Sequence, residues 1–89
     1  MDLSGLIGRM KEGQSAQPEP VYQKLGQNVA RIREQKGLSQ GDLAEQMGKG
    51  LSTVAEIETG ATRILVSDVE KLAEVLGVEP RVLMQGIWF

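Results

Sequence analysis

The 89-residue chain contains no cysteine and no histidine, and only three of its residues are aromatic. Without cysteine and histidine it cannot form a disulfide, a Cys/His zinc site, a thiolate nucleophile or a Ser-His-Asp triad. We therefore expect a protein that is not an enzyme and that holds no metal and no cofactor. Its length leaves room for a single small domain.

Long apolar runs are also absent from the chain. No run approaches the roughly 18 residues of a membrane span. The first 13 residues lack the basic-then-apolar layout of a signal peptide. Because the lack of cysteine also fits a reducing compartment, we expect a cytoplasmic protein without membrane contact.

Basic residues are not in excess, since 10 lysines and arginines stand against 12 aspartates and glutamates for a net charge of −2. No overall positive field therefore attracts the chain to nucleic acid. A nucleic-acid site would have to arise from local features of the fold.

The N-terminal part of the chain differs from the rest in composition. Residues 12–20 read EGQSAQPEP, a polar stretch with two prolines that predicts a linker. We predict that residues 1–20 form a flexible arm and linker, and that residues 21–89 form the folded domain. Four apolar residues of the arm have the spacing of one helical face: Leu3, Leu6, Ile7 and Met10. A helix that docks on a protein partner and a frayed terminus both remain open, because short isolated helices are marginal in water.

Beyond the linker, apolar positions recur with the helical period, and each run stops at a glycine. This pattern predicts an all-α domain without strands. The five predicted helices cover residues 22–36, 40–47, 51–59, 67–76 and 80–85. Ser39 with Asp42, and Ser67 with Glu70, are predicted to form capping boxes at the starts of the second and fourth helices.

The second and third predicted helices, with the turn between them, carry a recognisable pattern: Leu38-Ser39-Gln40, Leu43-Ala44, Gly48, Val54, Ile57-Glu58 and Gly60. It resembles the lambda-repressor/Cro-type helix-turn-helix family, also called the xenobiotic-response-element family. The resemblance extends from Leu25 to about Met84. It implies a five-helix lambda-repressor-like bundle that contains a helix-turn-helix, in a regulator of transcription that binds double-stranded DNA. In this motif the second helix of the pair enters the major groove.

The resemblance assigns a phosphate contact to Gln40 at the start of the second helix. It assigns further DNA contacts to the third helix and to residues that flank it: Lys49, Leu51, Ser52, Thr53, Glu56, Thr59 and Arg63. Leu51 suits a thymine methyl group, Ser52 suits several base edges, and Glu56 suits the amino group of cytosine. The resemblance also implies a structural ion pair between Arg33 on the first helix and Glu58 at the end of the third.

Two features depart from the family pattern. Lys49-Gly50 occupies the turn where a small apolar residue and then Ser or Thr are usual, so the third helix loses a side-chain cap. Residues 21–38 carry four basic residues against one acid, whereas residues 39–60 carry one lysine against four acids. The expected groove-facing motif is thus acidic, unless Glu58 is paired with Arg33 and Asp42 serves as a cap.

Our first hypothesis is a transcriptional regulator of phage or restriction-modification controller type, which binds a palindromic operator as a homodimer. The apolar C-terminal residues are the candidate dimer contact, and the alternative is that they fold back on their own core: Leu83, Met84, Ile87, Trp88 and Phe89. The alternative hypothesis is a protein-interaction module, such as the antitoxin of a toxin-antitoxin pair, with secondary DNA binding. In that case the domain or the N-terminal arm would cover a protein partner.

Overall fold

The computed structural model describes residues 20–87, which form five α-helices and no strand. The helices are α1 (Pro20–Gln35), α2 (Gln40–Met47), α3 (Leu51–Thr59), α4 (Val66–Leu76) and α5 (Pro80–Leu83). The predicted all-α class is therefore confirmed. The apolar stripe of the N-terminal arm and the last two residues, Trp88 and Phe89, lie outside the described residues. Within residues 20–87, no helix has both the length and the apolar character that crossing a bilayer requires.

The ends of the first and last helices differ from the prediction. α1 begins at Pro20 and not at residue 22. Proline fits the first turn of a helix because its backbone angle is preset and its missing N–H would have had no partner there. α5 ends at Leu83 and not at residue 85, since the chain continues in a tight turn in which the Ile87 N–H donates to the Met84 carbonyl over 3.1 Å.

The predicted capping box of Ser67 and Glu70 is wrong. α4 begins at Val66, and Leu65 occupies the N-cap position with extended backbone angles. The Leu65 N–H donates to the Asp68 carboxylate over 3.1 Å, so a carboxylate one turn into the helix closes its start. Ile64, just before this point, is buried in the core.

A single core holds the five helices together, and α1 lies at its centre because it packs against α3, α4 and α5. All the buried apolar side chains belong to this core: Leu25, Val29, Ile32, Leu43, Ala44, Met47, Val54, Ile57, Ile64, Leu72, Ala73, Leu76 and Leu83. Nearly all are apolar positions that recur with the helical period in the sequence. Ile64 is the exception, since it comes from the connection between α3 and α4.

Gly48 makes the tight turn between α2 and α3. Its φ of 69° lies in the left-handed region, and its N–H closes the end of α2 on the carbonyls of Ala44 and Glu45. After this turn, Val54 and Ile57 of α3 enter the core that α2 also lines. The inner face of α3 is thereby buried, and its opposite face is directed outward.

α1 and α3 cross in backbone contact, which the sequence analysis missed. A Cβ atom at Gly26 of α1 would overlap the carbonyl oxygen of Ile57 and lie 2.7 Å from that of Glu58. At Gly60, just after α3, a Cβ atom would lie 2.6 Å from the Cα of Gln23. A glycine in the middle of a long predicted helix was the sequence signal for this close approach.

A buried asparagine anchors the chain after α5. Asn28 of α1 is fully buried, and its amide donates to the carbonyls of Leu83 over 2.7 Å and Gln85 over 2.9 Å. Leu83 itself has no exposed surface, so its assignment to a dimer contact is wrong: it belongs to the core of its own chain. Met84 and Ile87 are half-buried against the same core.

Gly26→Ala should destabilise the protein by about 2 kcal/mol, because the new methyl group would clash with the backbone of α3 and force the two helices apart. Gly41→Ala is the matched control, since that exposed helical position has open space and the nearest atom, the Ser39 Oγ, is 3.7 Å away. The control should be neutral or stabilising by up to about 1 kcal/mol. Urea unfolding followed by circular dichroism measures both, and equal effects would contradict the close crossing of the two helices.

Candidate nucleic-acid interface

The outward face of α3 presents the side chains that the sequence analysis assigns to DNA. Leu51 is 56% exposed, Ser52, Glu56 and Thr59 are also exposed, and Thr53 is half-buried. The Thr59 hydroxyl donates to the backbone carbonyl of Glu56 over 3.2 Å. The Glu56 carboxylate has no ion pair among residues 20–87. An apolar group, a hydroxyl and a carboxylate are thus available on one helix of suitable size for the major groove.

The first turn of α3 lacks a side-chain cap, as the sequence predicts. Gly50 is the N-cap residue, with extended backbone angles and no side chain that could accept a hydrogen bond. The backbone N–H groups at the start of a helix carry partial positive charge and bind anions readily. The start of α3 is therefore open to an outside acceptor such as a phosphate oxygen.

The predicted capping box at the start of α2 is confirmed. The Asp42 N–H donates to the Ser39 hydroxyl over 3.0 Å, and the Ser39 N–H donates to the Asp42 carboxylate over 2.9 Å. Hydrogen bonds from the Ser39 backbone and side chain lower the pKa of Asp42 below its usual value. The box leaves the N–H groups of Gln40 and Gly41, the first two helical residues, directed away from the helix.

Glu58 is the centre of a buried polar network. Its Oε2 accepts from the Arg33 Nε over 2.6 Å, and its Oε1 accepts from the Arg33 Nη2 over 3.1 Å. The side chains of Arg33 and Glu58 are only 11% and 5% exposed. The hydrogen bonds to Glu58 outweigh the effect of burial and raise the pKa of Arg33. The guanidinium is therefore charged at any pH at which proteins fold.

The same network extends to the N-terminal side of α2. Gln40 donates through Nε2 to the Glu58 Oε1 over 2.9 Å, and Arg33 donates through Nη1 to the Leu38 carbonyl over 2.8 Å. The family resemblance predicts only a phosphate contact for Gln40. Its link to Glu58 was not visible in the sequence, because the two residues are 18 positions apart and belong to different helices.

Charge pairing neutralises one of the four acids of residues 39–60. Glu58 is neutralised by Arg33, and Asp42 belongs to the capping box. Asp42 and Glu45 on α2 and Glu56 on α3 remain as exposed acids.

The predicted cationic contacts lie beside α3 and not on it. Lys49, in the turn before α3, has its Nζ 3.9 Å from the Asp68 Oδ1 of α4. Arg63 is exposed in the connection between α3 and α4, and it has no ion pair among residues 20–87. One cation thus precedes α3 in the chain and one follows it.

The arrangement of α2 and α3 defines the class of this domain. Two successive helices are joined by a tight glycine turn, the second is buried on one side, and its other side is free, as in a helix-turn-helix. The model of the Helix-turn-helix family HTH_3 matches residues 29–83, and the chain belongs to this family. The lambda-repressor/Cro-type resemblance seen in the sequence is therefore confirmed.

Several solved structures are similar to the chain. The restriction-modification controller protein C.AhdI from Aeromonas hydrophila is 39% identical, covers 70% of this chain and 94% of its own, and has a TM-score of 0.67. The hypothetical transcription factor NHTF from Neisseria is 34% identical over 72% and 74% of the two chains, with a TM-score of 0.69. SinR, a master regulator for biofilm formation solved in complex with DNA, is 32% identical over 68% and 98%, with a TM-score of 0.63. No curated protein gave a match.

Arg33→Ala should lower the free energy of unfolding by about 3 kcal/mol, because it leaves the buried Glu58 carboxylate without its counter-charge. Arg81→Ala is the matched control: its Nε lies 2.8 Å from a Glu79 carboxylate, but both side chains are at least 70% exposed. That loss should stay under about 1 kcal/mol. Denaturant unfolding of both variants gives the comparison, and similar losses would show that burial of the Glu58 pair does not matter.

The capping box should make stability depend on pH in the acid range. Because the pKa of Asp42 is lowered in the fold, its contribution is complete above the unfolded value of about 4 and is lost as the pH falls through the folded value. Asp42→Ala should therefore melt below the wild type at pH 7, and the difference should shrink at pH 3. Glu45→Ala, at an exposed acid of the same helix outside the box, should show little such change. A pH-independent difference for Asp42→Ala would be incompatible with the box.

Proposed function

We propose that the protein is a sequence-specific regulator of transcription that binds double-stranded DNA. The observation that carries this proposal is the outward face of α3, where Leu51, Ser52 and Glu56 are exposed on a helix whose inner face is locked in the core. Similarity to a restriction-modification controller and to a regulator solved with DNA supports the same function. This role requires no catalysis, no cofactor and no membrane contact, and it belongs in the cytoplasm.

In the proposed complex, α3 lies in the major groove, and the start of α2 contacts the phosphate backbone. Ser52 and Glu56 read base edges, with Glu56 accepting from the amino group of a cytosine, and Leu51 contacts a thymine methyl group. The free Glu56 carboxylate is suitable for this contact because no cation among residues 20–87 is paired with it.

Phosphate contacts must supply the affinity, because the net charge does not. Backbone N–H groups at the starts of α2 and α3 are proposed for this role. The side chains of Lys49, Thr59 and Arg63 are proposed as further phosphate contacts. The Lys49 pair with Asp68 is long and partly exposed, so it competes weakly with a phosphate. Thr53 is half-buried at the edge of the same face and is proposed as a further contact.

A homodimer is the proposed binding unit, because a single small domain reads only one half-site. Two copies would place their α3 helices about 34 to 36 Å apart on a palindromic operator. Met84 and Ile87 are half-buried on the surface of the domain and are proposed for the two-fold contact, together with Trp88 and Phe89 that follow them. Occupancy of the operator would then regulate transcription by position alone.

Selection of bound duplexes from a random pool tests the proposal. The wild type should enrich a palindrome, and Glu56→Gln should change the preferred base at one symmetric pair of positions by about 10-fold or more, since glutamine favours adenine. Glu74→Gln on α4 removes the same charge from an exposed site away from α3 and should leave the palindrome unchanged.

Binding to the enriched duplex should weaken steeply as salt rises, because phosphate contacts release counterions. Failure to enrich any sequence, together with salt-independent or absent binding, would contradict the proposal. That result would favour the protein-interaction module, in which the same surface or the N-terminal arm covers another protein.

A further inference from the structure

Gln40 lies at two places of interest: it is the first residue of α2, and its side chain contacts α3. Its backbone lies at the helix start that the proposed function places against a phosphate. Its side chain is half-buried and donates through Nε2 to the Glu58 Oε1 over 2.9 Å. Gln40 therefore connects the start of α2, where a phosphate is expected, to α3, which is expected in the major groove.

The contact between Gln40 and Glu58 is not needed to neutralise the buried carboxylate. Arg33 already pairs with both oxygens of Glu58, over 2.6 Å and 3.1 Å, and supplies the full counter-charge. Removing the Gln40 amide therefore leaves no uncompensated charge in the interior. Its effect on the position of α3 can be separated from an effect on folding.

The amide of Gln40 also retains hydrogen-bonding capacity. Its Nε2 carries two hydrogens, and the bond to Glu58 uses one of them. The second hydrogen remains for a phosphate oxygen that approaches the start of α2. Gln40 is thus able to hold a phosphate and Glu58 at the same time, without exchanging one for the other.

We infer that Gln40 is a positioning residue for the recognition helix: its hydrogen bond to Glu58 fixes α3 relative to the DNA backbone held at the start of α2. This inference rests on the proposed DNA-binding function and adds a role that a simple phosphate contact does not have. The phosphate contact sets where the domain lies on the duplex, and the bond to Glu58 sets how α3 meets the base edges from that point. Losing the bond should therefore impair discrimination among sequences more than general affinity for DNA.

The test uses Gln40→Met, which keeps the length of the side chain and removes its hydrogen bonds. Gln46→Met is the matched control, because Gln46 is an exposed glutamine near the other end of α2. Fluorescence anisotropy measures binding of each protein to the palindrome enriched by the wild type and to a scrambled duplex, at two salt concentrations. Thermal melting measures whether each variant folds.

Gln40→Met should lower the ratio of palindrome to scrambled affinity by about fivefold, the effect of one lost hydrogen bond. Its melting temperature should stay close to that of the wild type, because Arg33 still pairs with Glu58, and Gln46→Met should behave as the wild type in every measurement. Gln40→Asn, which keeps the amide but is one methylene too short to reach Glu58, should lose the same discrimination.

Equal weakening on both duplexes would overturn the inference, because it would make Gln40 a phosphate contact only. No change on either duplex, or full discrimination by Gln40→Asn, would overturn it as well. A wild type that does not distinguish the palindrome from the scrambled duplex would instead overturn the proposed function, and that result is visible without any variant.

Discussion

The buried carboxylate of Glu58 is the constraint on which the geometry of this domain depends. It lies near the end of α3 and accepts hydrogen bonds from Arg33 of α1 and Gln40 of α2. Burying an ion pair of this kind brings little net stability, because both charges lose their water. Its value is geometric: fixed hydrogen-bond lengths and directions allow far fewer orientations of the three helices than apolar packing alone.

Backbone contact between α1 and α3 restrains the same helix in a second way. Gly26 lies against the carbonyls of Ile57 and Glu58, and Gly60 lies against Gln23. These contacts set the distance between the two helices, whereas the Glu58 network sets their relative orientation. With the inner face of α3 buried by Val54 and Ile57, the outer face is presented from a rigid base.

A protein with a negative net charge is able to present a DNA-binding surface when individual acids are paired and helix starts supply local positive potential. Of the four acids in residues 39–60, Glu58 is neutralised by an ion pair, and the Asp42 carboxylate accepts a backbone hydrogen bond at the start of α2. The uncapped start of α3 and the first N–H groups of α2 add positive potential that no count of side-chain charges includes. Sequence-wide net charge therefore says little about this surface, because short-range pairing determines which charges a partner meets.

The sequence by itself determined the helical class, the bounds of α2 and α3, the capping box of Ser39 and the buried apolar faces. These features depend on residues a few positions apart: caps, turn glycines and helical periodicity act within one or two turns of chain. It also indicated which side chains of α3 point outward, since the inward set follows from the same periodicity.

Only the tertiary structure decided the start of α4, the burial of Leu83, the hydrogen bonds of Asn28 and the hydrogen bond from Gln40 to Glu58. Each depends on groups brought together from distant parts of the chain, 18 positions apart for Gln40 and Glu58 and 55 for Asn28 and Leu83. Hydrogen bonding across such separations leaves no periodic trace in the sequence, because the partner is selected by how the helices pack and not by spacing along the chain.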